Sequence, residues 1–200
     1  MASSIKEPPA ITIVIPPAAI ASNIPVLTRL VDIINVAFSE QGTFFHPTDN
    51  VLRCAAPEIR QYLEASELCL AWQPDSSQTD AQGLVGCARV SLLDDGRTAL
   101  FGVLACDDAF RGLGVGRDLM VFAEDRARKL GAKTMRIDLL YPHGGWVHGF
   151  KERLAEWYER QGYRVVKVVE VGEVVPELVP RMAREAVFRI YEKELRERGW

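Results

Sequence analysis

The chain has 200 residues, 48% of them hydrophobic and 26% charged, with a formal net charge of -3 at pH 7. That length suits one domain with a substantial core. The near balance of charge lacks the basic excess of a protein built for nucleic acid, so no nucleic-acid partner is expected.

Residues 1–10, "MASSIKEPPA", read as a flexible N-terminal tail, with a single domain over residues 11–200. The apolar stretch "AITIVIPPAAI" is cut by Pro16 and Pro17, has no basic leader and is too short to span a bilayer. No membrane partner is expected, and the expected compartment is cytoplasmic. Within that stretch the β-branched run Ile11–Ile15 reads as a strand. Leu27, Leu30, Val31, Ile34 and Phe38 recur at helical spacing over Ile24–Phe38, with Pro25 tolerated in the first turn. A shorter helix fits "APEIRQYLEAS". Strands follow at "LCLAW", "GLVGCARVSLL" and "RTALFGVLAC", the first two separated by the polar loop "QPDSSQTDAQ".

The third strand runs into "DDAFRGLGVGRDLM", and Leu119, Phe122, Ala123, Ala127 and Leu130 then mark one helical face that closes at Gly131. "TMRIDLLY" is a strand with Met135, Ile137 and Leu139 on one face. Phe150, Leu154, Trp157 and Tyr158 form another helical stripe, stopped by Gly162. "YRVVKVVEV" and "EAVFRIYEKEL" read as closing strands joined by a proline-bearing connection. The cysteines Cys54, Cys69, Cys87 and Cys106 show no C-x-x-C spacing and no paired histidines near them, which fits reduced thiols and no metal.

Gly112, Gly114 and Gly116 lie between a strand and a helix. A tight turn with little side-chain bulk, followed by a helix whose first amides lack partners, makes an anion cradle. A phosphate loop of the G-x-x-x-x-G-K type is excluded, because Arg117 and Asp118 follow Gly116. The spacing G-x-G-x-G, preceded by several strands, does not fit the dinucleotide fingerprint either.

The pattern R-x-x-G-x-G, carried by Arg111, Gly114 and Gly116 after "FGVLAC", resembles the acyl-CoA-binding segment of the GNAT superfamily, the Gcn5-related N-acetyltransferases. The order of elements from Ile24 to the C-terminus resembles that family too, and Tyr158, Gly162 and Tyr163 match its Y-x-x-x-G-[FY] motif. The resemblance implies a GNAT fold: a mixed, mostly antiparallel sheet of six or seven strands with a central splay, flanked by about four helices. It implies acetyl-CoA as cosubstrate, with the pyrophosphate on Arg111, Gly112, Leu113, Gly114, Val115, Gly116 and Arg117. The pantetheine arm would lie along the backbones of Leu104, Ala105 and Cys106. Val115 would be a core residue contributing only its amide.

The same resemblance gives Tyr158 the role of general acid to the departing thiolate, a packed core tyrosine being the alternative. Two positions depart from the family pattern. Lys151 stands where an Asn is common, and reads as a solvated helix lysine or as a contact to a CoA phosphate. Asp108 replaces a frequent proline and is expected to turn its charge away from the phosphates. For the general base, Asp138, on the face opposite Met135 and Ile137, and the loop histidines His143 and His148 are the candidates, with proton loss to water as the rival. Asp138 alternatively pairs with Arg136.

Phe38, Phe44, Phe45, His46 and Arg53 suggest a partly aromatic acceptor pocket with one fixed cation for a carboxylate. An ordinary hydrophobic cluster with a surface arginine is the competing explanation. The expected acceptor is a small primary amine or an amino-acid-like molecule, acetylated by direct transfer in a ternary complex. Acetylation of protein N-termini or lysines, or a catalytically silent acyl-CoA-binding regulatory module, are the alternatives. A homodimer is compatible with any of these.

Overall fold

The computed structural model describes residues 10–49, 51–74 and 76–196. Apart from Ala10, the tail expected at the N-terminus lies outside the described residues, as does Asp75 of the polar loop. The elements in chain order are β1 (Thr12–Val14), α1 (Ile24–Phe38), α2 (Ala56–Glu64), β2 (Leu68–Trp72), β3 (Leu84–Leu92), β4 (Thr98–Cys106) and α3 (Val115–Lys129). They continue with β5 (Thr134–Pro142), α4 (Gly149–Arg160), β6 (Arg164–Glu170), α5 (Val171–Val174) and β7 (Ala186–Glu194). Every strand and helix expected from the periodicity is present. The addition is α5, which together with a 3-10 turn at Pro176–Arg181 forms the proline-bearing connection.

The strands form one seven-stranded sheet in the order β1-β2-β3-β4-β5-β7-β6. Pairing is antiparallel for β1 with β2, β2 with β3, β5 with β7 and β6 with β7, and parallel for β4 with β5. The parallel pair needs a crossover, which α3 supplies. The described residues divide into two compact units, one drawn from residues 10–37, 53–90 and 103–125, the other from 38–52, 91–102 and 126–196.

In the first unit, α1 starts where the Asn23 carboxamide oxygen accepts the amide of Val26 at 3.1 Å, an N-cap bond. Its buried face is Val26, Leu27, Leu30, Ile33 and Ile34, close to the expected stripe, with Val31 and Phe38 half-buried. Strand β2 is buried throughout, as a strand covered on both faces must be. Gly86 of β3 is required by packing: a Cβ there would stand 2.9 Å from the carbonyl oxygen of Ala105 and 3.3 Å from Leu119.

In the second unit, the parallel ladder runs from Thr98↔Thr134 to Phe101↔Ile137, whereas β4 itself continues to Cys106. Farther along β4, in the part that belongs to the first unit, Val103 adopts a φ of +51°, a left-handed conformation that costs a β-branched residue about 1–3 kcal/mol. The β5–β7 pairing is long and regular, from Thr134↔Glu194 to Pro142↔Ala186. Phe44, Phe45, Leu140, Val169, Phe188 and Ile190 are the heart of this unit's core. Helix α4 ends at Gly162, whose φ of +94° lets the amides of Gly162 and Tyr163 return to the carbonyls of Glu159 and Tyr158.

The close approach at Gly86 makes a direct test. Gly86→Ala should destabilise the protein by about 1–3 kcal/mol, since the obstacle is a backbone oxygen that cannot swing aside. Chemical denaturation with the wild type as reference measures it; an unchanged midpoint would contradict this packing.

Candidate active site

The end of β4 and the start of α3 are joined by a tightly bonded turn within the first unit. The Asp107 amide donates to Val85 O (2.9 Å), and the Asp107 carboxylate accepts the amide of Ala109 at 2.8 Å, capping a 3-10 turn over Asp108–Phe110. Phe110 and Arg111 then donate to the carbonyls of Asp107 and Asp108. Gly112 and Gly114 follow with φ of +77° and +93°, values that exclude ordinary side chains. The first bond of α3 is Asp118 N–H to Gly114 O at 3.0 Å. The amides of Gly112, Gly114, Val115, Gly116 and Arg117 therefore have no protein acceptor among the described residues. Val115 keeps its side chain in the core, 1% exposed.

Gly116 differs from the two glycines before it. Its φ is not in the left-handed region, and a Cβ there would meet only Cys106 Sγ at 3.9 Å and Leu104 Cδ2 at 4.0 Å, ordinary contacts. Neither backbone conformation nor packing requires glycine at 116.

The residues expected beside this loop are partly in place. Leu104 and Cys106 border Gly116, and Ala105 is buried with its carbonyl against Gly86. Burial pushes the Cys106 thiol up to about 11 despite the opposing pull of Arg111, so it stays protonated at neutral pH. The Asp108 carboxylate holds Arg111 Nε at 2.8 Å, an exposed ion pair. Arg29 of α1 is an unforeseen participant, its Nη2 donating to the second carboxylate oxygen of Asp107. A contact across 78 positions leaves no local sequence signal. Val103 was missed as well, although Gly102 in the middle of a strand pattern is such a signal.

Tyr158, in α4 of the second unit, is buried, with Trp157, Tyr163 and Tyr191 rings 5.2, 6.2 and 6.0 Å away. Burial, and secondarily the neighbouring Tyr191, raise its pKa well above the usual phenol value, so it is a neutral phenol throughout the physiological range. Asp138 accepts from Arg136 Nε at 2.6 Å and Nη2 at 3.0 Å, and this bidentate pair holds the Arg136 pKa above its usual value. His148 bonds the Glu40 carbonyl through Nε2 at 3.0 Å and stacks on Phe44. The contact to a carbonyl makes Nε2 the protonated nitrogen and leaves Nδ1 as the basic one. His143 is tied at its amide to Glu185 O.

Lys151 is not the solvated lysine expected of a helix surface. It is 2% exposed, with its ammonium 5.8 Å from the centre of the Phe44 ring. Of the acceptor-side candidates, Phe45 is buried in the core of the second unit, Phe38 is half-buried and His46 is exposed, its amide donating to Arg181 O. Arg53 belongs to the first unit, where Nη1 lies 3.5 Å from Cys54 Sγ and 3.9 Å from Glu58. Among the described residues no group of three or more metal-ligating side chains assembles, and no helix is long and apolar enough to cross a membrane.

Residues 74–165, which include the turn and Tyr158, match the model of the Acetyltransferase (GNAT) domain family. No curated protein matches the sequence. Among solved structures, an aminoglycoside 6'-N-acetyltransferase complexed with coenzyme A aligns at a TM-score of 0.62 and 16% identity, over 96% of this chain and 99% of that one. The NatC complex bound to Gag peptide and CoA aligns at 0.61 and 14% identity, over 93% and 99%. N-acetylglutamate synthase from Neisseria gonorrhoeae, complexed with coenzyme A and N-acetyl-glutamate, aligns at 0.59 and 16% identity, over 94% of this chain and 36% of that one. The fold is thus that of GNAT acetyltransferases, while the molecules named in those structures span an antibiotic class, an amino acid and a peptide.

The glycines of the turn separate structural from ligand-related demands. Gly114→Ala should cost roughly 1 kcal/mol or more, because alanine is strained at that φ, whereas Gly116→Ala should leave Tm unchanged or slightly raised. Calorimetric melting of both variants checks this; an equal loss in both would mean that Gly116 is a structural requirement.

Proposed function

We propose that this chain, whose residues 74–165 form a GNAT acetyltransferase domain, transfers an acetyl group from acetyl-CoA to a small primary amine or amino-acid-like acceptor. Residues 11–200 act as one catalytic domain in the cytoplasm. The observation that carries this reading is the set of acceptor-free amides at Gly112, Gly114, Val115, Gly116 and Arg117, opening onto a glycine that the protein's own structure does not require.

Those residues fit a diphosphate. Four or five backbone donors and the positive end of the α3 dipole favour an anion, and Arg111 and Arg117 add cationic side chains to the same turn. When bound, acetyl-CoA supplies an activated thioester carbonyl. The backbones of Leu104, Ala105 and Cys106 hold the arm that carries it, and a main-chain N–H of this strand stabilises negative charge on the carbonyl oxygen without reorganising. The acceptor nitrogen forms its bond to the carbonyl carbon as the carbon–sulfur bond breaks; the Tyr158 hydroxyl gives its proton to the departing sulfur, and the proton shed by the acylated nitrogen returns through water to the tyrosine oxygen. Burial keeps that hydroxyl in its neutral, hydrogen-bond-donating form.

The acceptor must first lose a proton. Asp138 already receives both donors of Arg136, and His148 already donates to a main-chain carbonyl. We therefore assign that proton to water, with Asp138 and His148 orienting their surroundings. Phe38, Phe45, His46 and Arg53 stay assigned to the acceptor side as part of the same proposal.

A thiol-release screen with acetyl-CoA against amines, amino acids and short peptides should show turnover that depends on the added amine. Binding of CoA with no turnover across the screen would contradict an enzymatic role. Tyr158→Phe should lower kcat about 100-fold with the acetyl-CoA KM nearly unchanged; wild-type kcat in that variant would remove the acid from Tyr158. The pH profile of kcat/KM should rise through the acceptor's own pKa and shift when an acceptor of different pKa is used. An inflection that stays near neutrality for every acceptor would restore a base on the enzyme.

A further inference from the structure

Two carboxylates, Asp107 and Asp108, stand immediately ahead of the free amides, where a diphosphate would meet like charge. Each is matched by an arginine. Asp108 holds Arg111, three residues along the same turn, and Asp107 holds Arg29, which comes from the middle of α1. The two pairs differ in setting. The Arg111 and Asp108 side chains are 43% and 62% exposed, whereas those of Arg29 and Asp107 are 34% and 20% exposed, so the second pair is less screened by water. Asp107 is also the joint of the turn: its amide is bonded to β3, one carboxylate oxygen caps the amide of Ala109, and the other accepts from Arg29.

We propose that Arg29 is a positioning residue for the anion cradle, acting through Asp107; this rests on the reading of the turn as the CoA pyrophosphate site. Arg29 does two things at once. It cancels the charge of the Asp107 carboxylate, and it holds that carboxylate in the rotamer that caps Ala109 and so fixes the path of the chain into Gly112. Because Arg29 lies on α1 and the cradle opens α3, occupancy of the cradle is tied to the seating of α1.

The test is a double-mutant cycle on the full-length chain, with CoA affinity measured by calorimetry for the wild type, Arg29→Ala, Asp107→Asn and the double variant. Arg29→Ala should weaken CoA about tenfold, and the double variant should recover to within about threefold of wild type, because Asn removes the stranded charge yet still caps Ala109. Arg29→Lys should also bind within about threefold of wild type. In the free protein, hydrogen exchange at the Ala109 amide should speed up in Arg29→Ala and return towards the wild-type rate in Arg29→Lys. Should Arg29→Ala fail to fold, Arg29→Gln takes its place in the cycle. CoA affinity unchanged in Arg29→Ala, or a double variant no better than the single, would overturn the role of Arg29 and leave the CoA site standing. A wild type that does not bind CoA would overturn the site itself.

Discussion

A helix begins with amides that have no carbonyl to bind, and at the start of α3 those amides are left free over a longer stretch than the helix alone dictates. Gly112 and Gly114 take left-handed conformations, and the chain turns there without returning their own amides to itself. The surrounding structure maintains this state. Gly86 lets the end of β4 and Leu119 of α3 come close to β3, Val115 and Leu119 anchor the helix in the core, and Asp107 fastens the turn to β3. Free donors cost free energy unless water or a ligand satisfies them, and a diphosphate satisfies several together.

Much of the fold was legible in the sequence because its signals are local. Helix α1 keeps the bounds read from its apolar spacing, and the strands recur where β-branched runs are bounded by turn residues. The glycine turn was legible for the same reason, since strand, glycines and helix are consecutive. What escaped depends on distant residues. Arg29 meets Asp107 across the chain, Gly86 is required by a carbonyl from another strand, and Lys151 is buried by an aromatic cluster that includes Phe44. Helical periodicity placed Lys151 on α4 without revealing what covers it. Val103 lies between: Gly102 hinted at an irregular strand, but a valine at positive φ contradicts its own propensity, and such conflicts concentrate at functional sites.

The acceptor side is less determined for a physical reason. Anion binding at a helix terminus uses backbone groups, which every sequence has and which glycine spacing exposes. An acceptor pocket is built from side chains of separate segments, and their chemistry depends on pairings such as Arg136 with Asp138 or His148 with Glu40. Those pairings change what the residues can do. A carboxylate already receiving two guanidinium bonds has fewer lone pairs left for another partner, and a histidine donating from Nε2 has only Nδ1 left for another partner. The buried Tyr158 is the opposite case, since burial that would disable an anion preserves a neutral proton donor.

The most direct measurement is a titration of isotopically labelled protein with CoA, following backbone amide resonances. The amides of Gly112, Gly114, Val115, Gly116 and Arg117 should show the largest shifts and move together with one binding constant. Resonances from this turn that stay in place while CoA binds elsewhere, or that are unmoved at saturating CoA, would contradict the account.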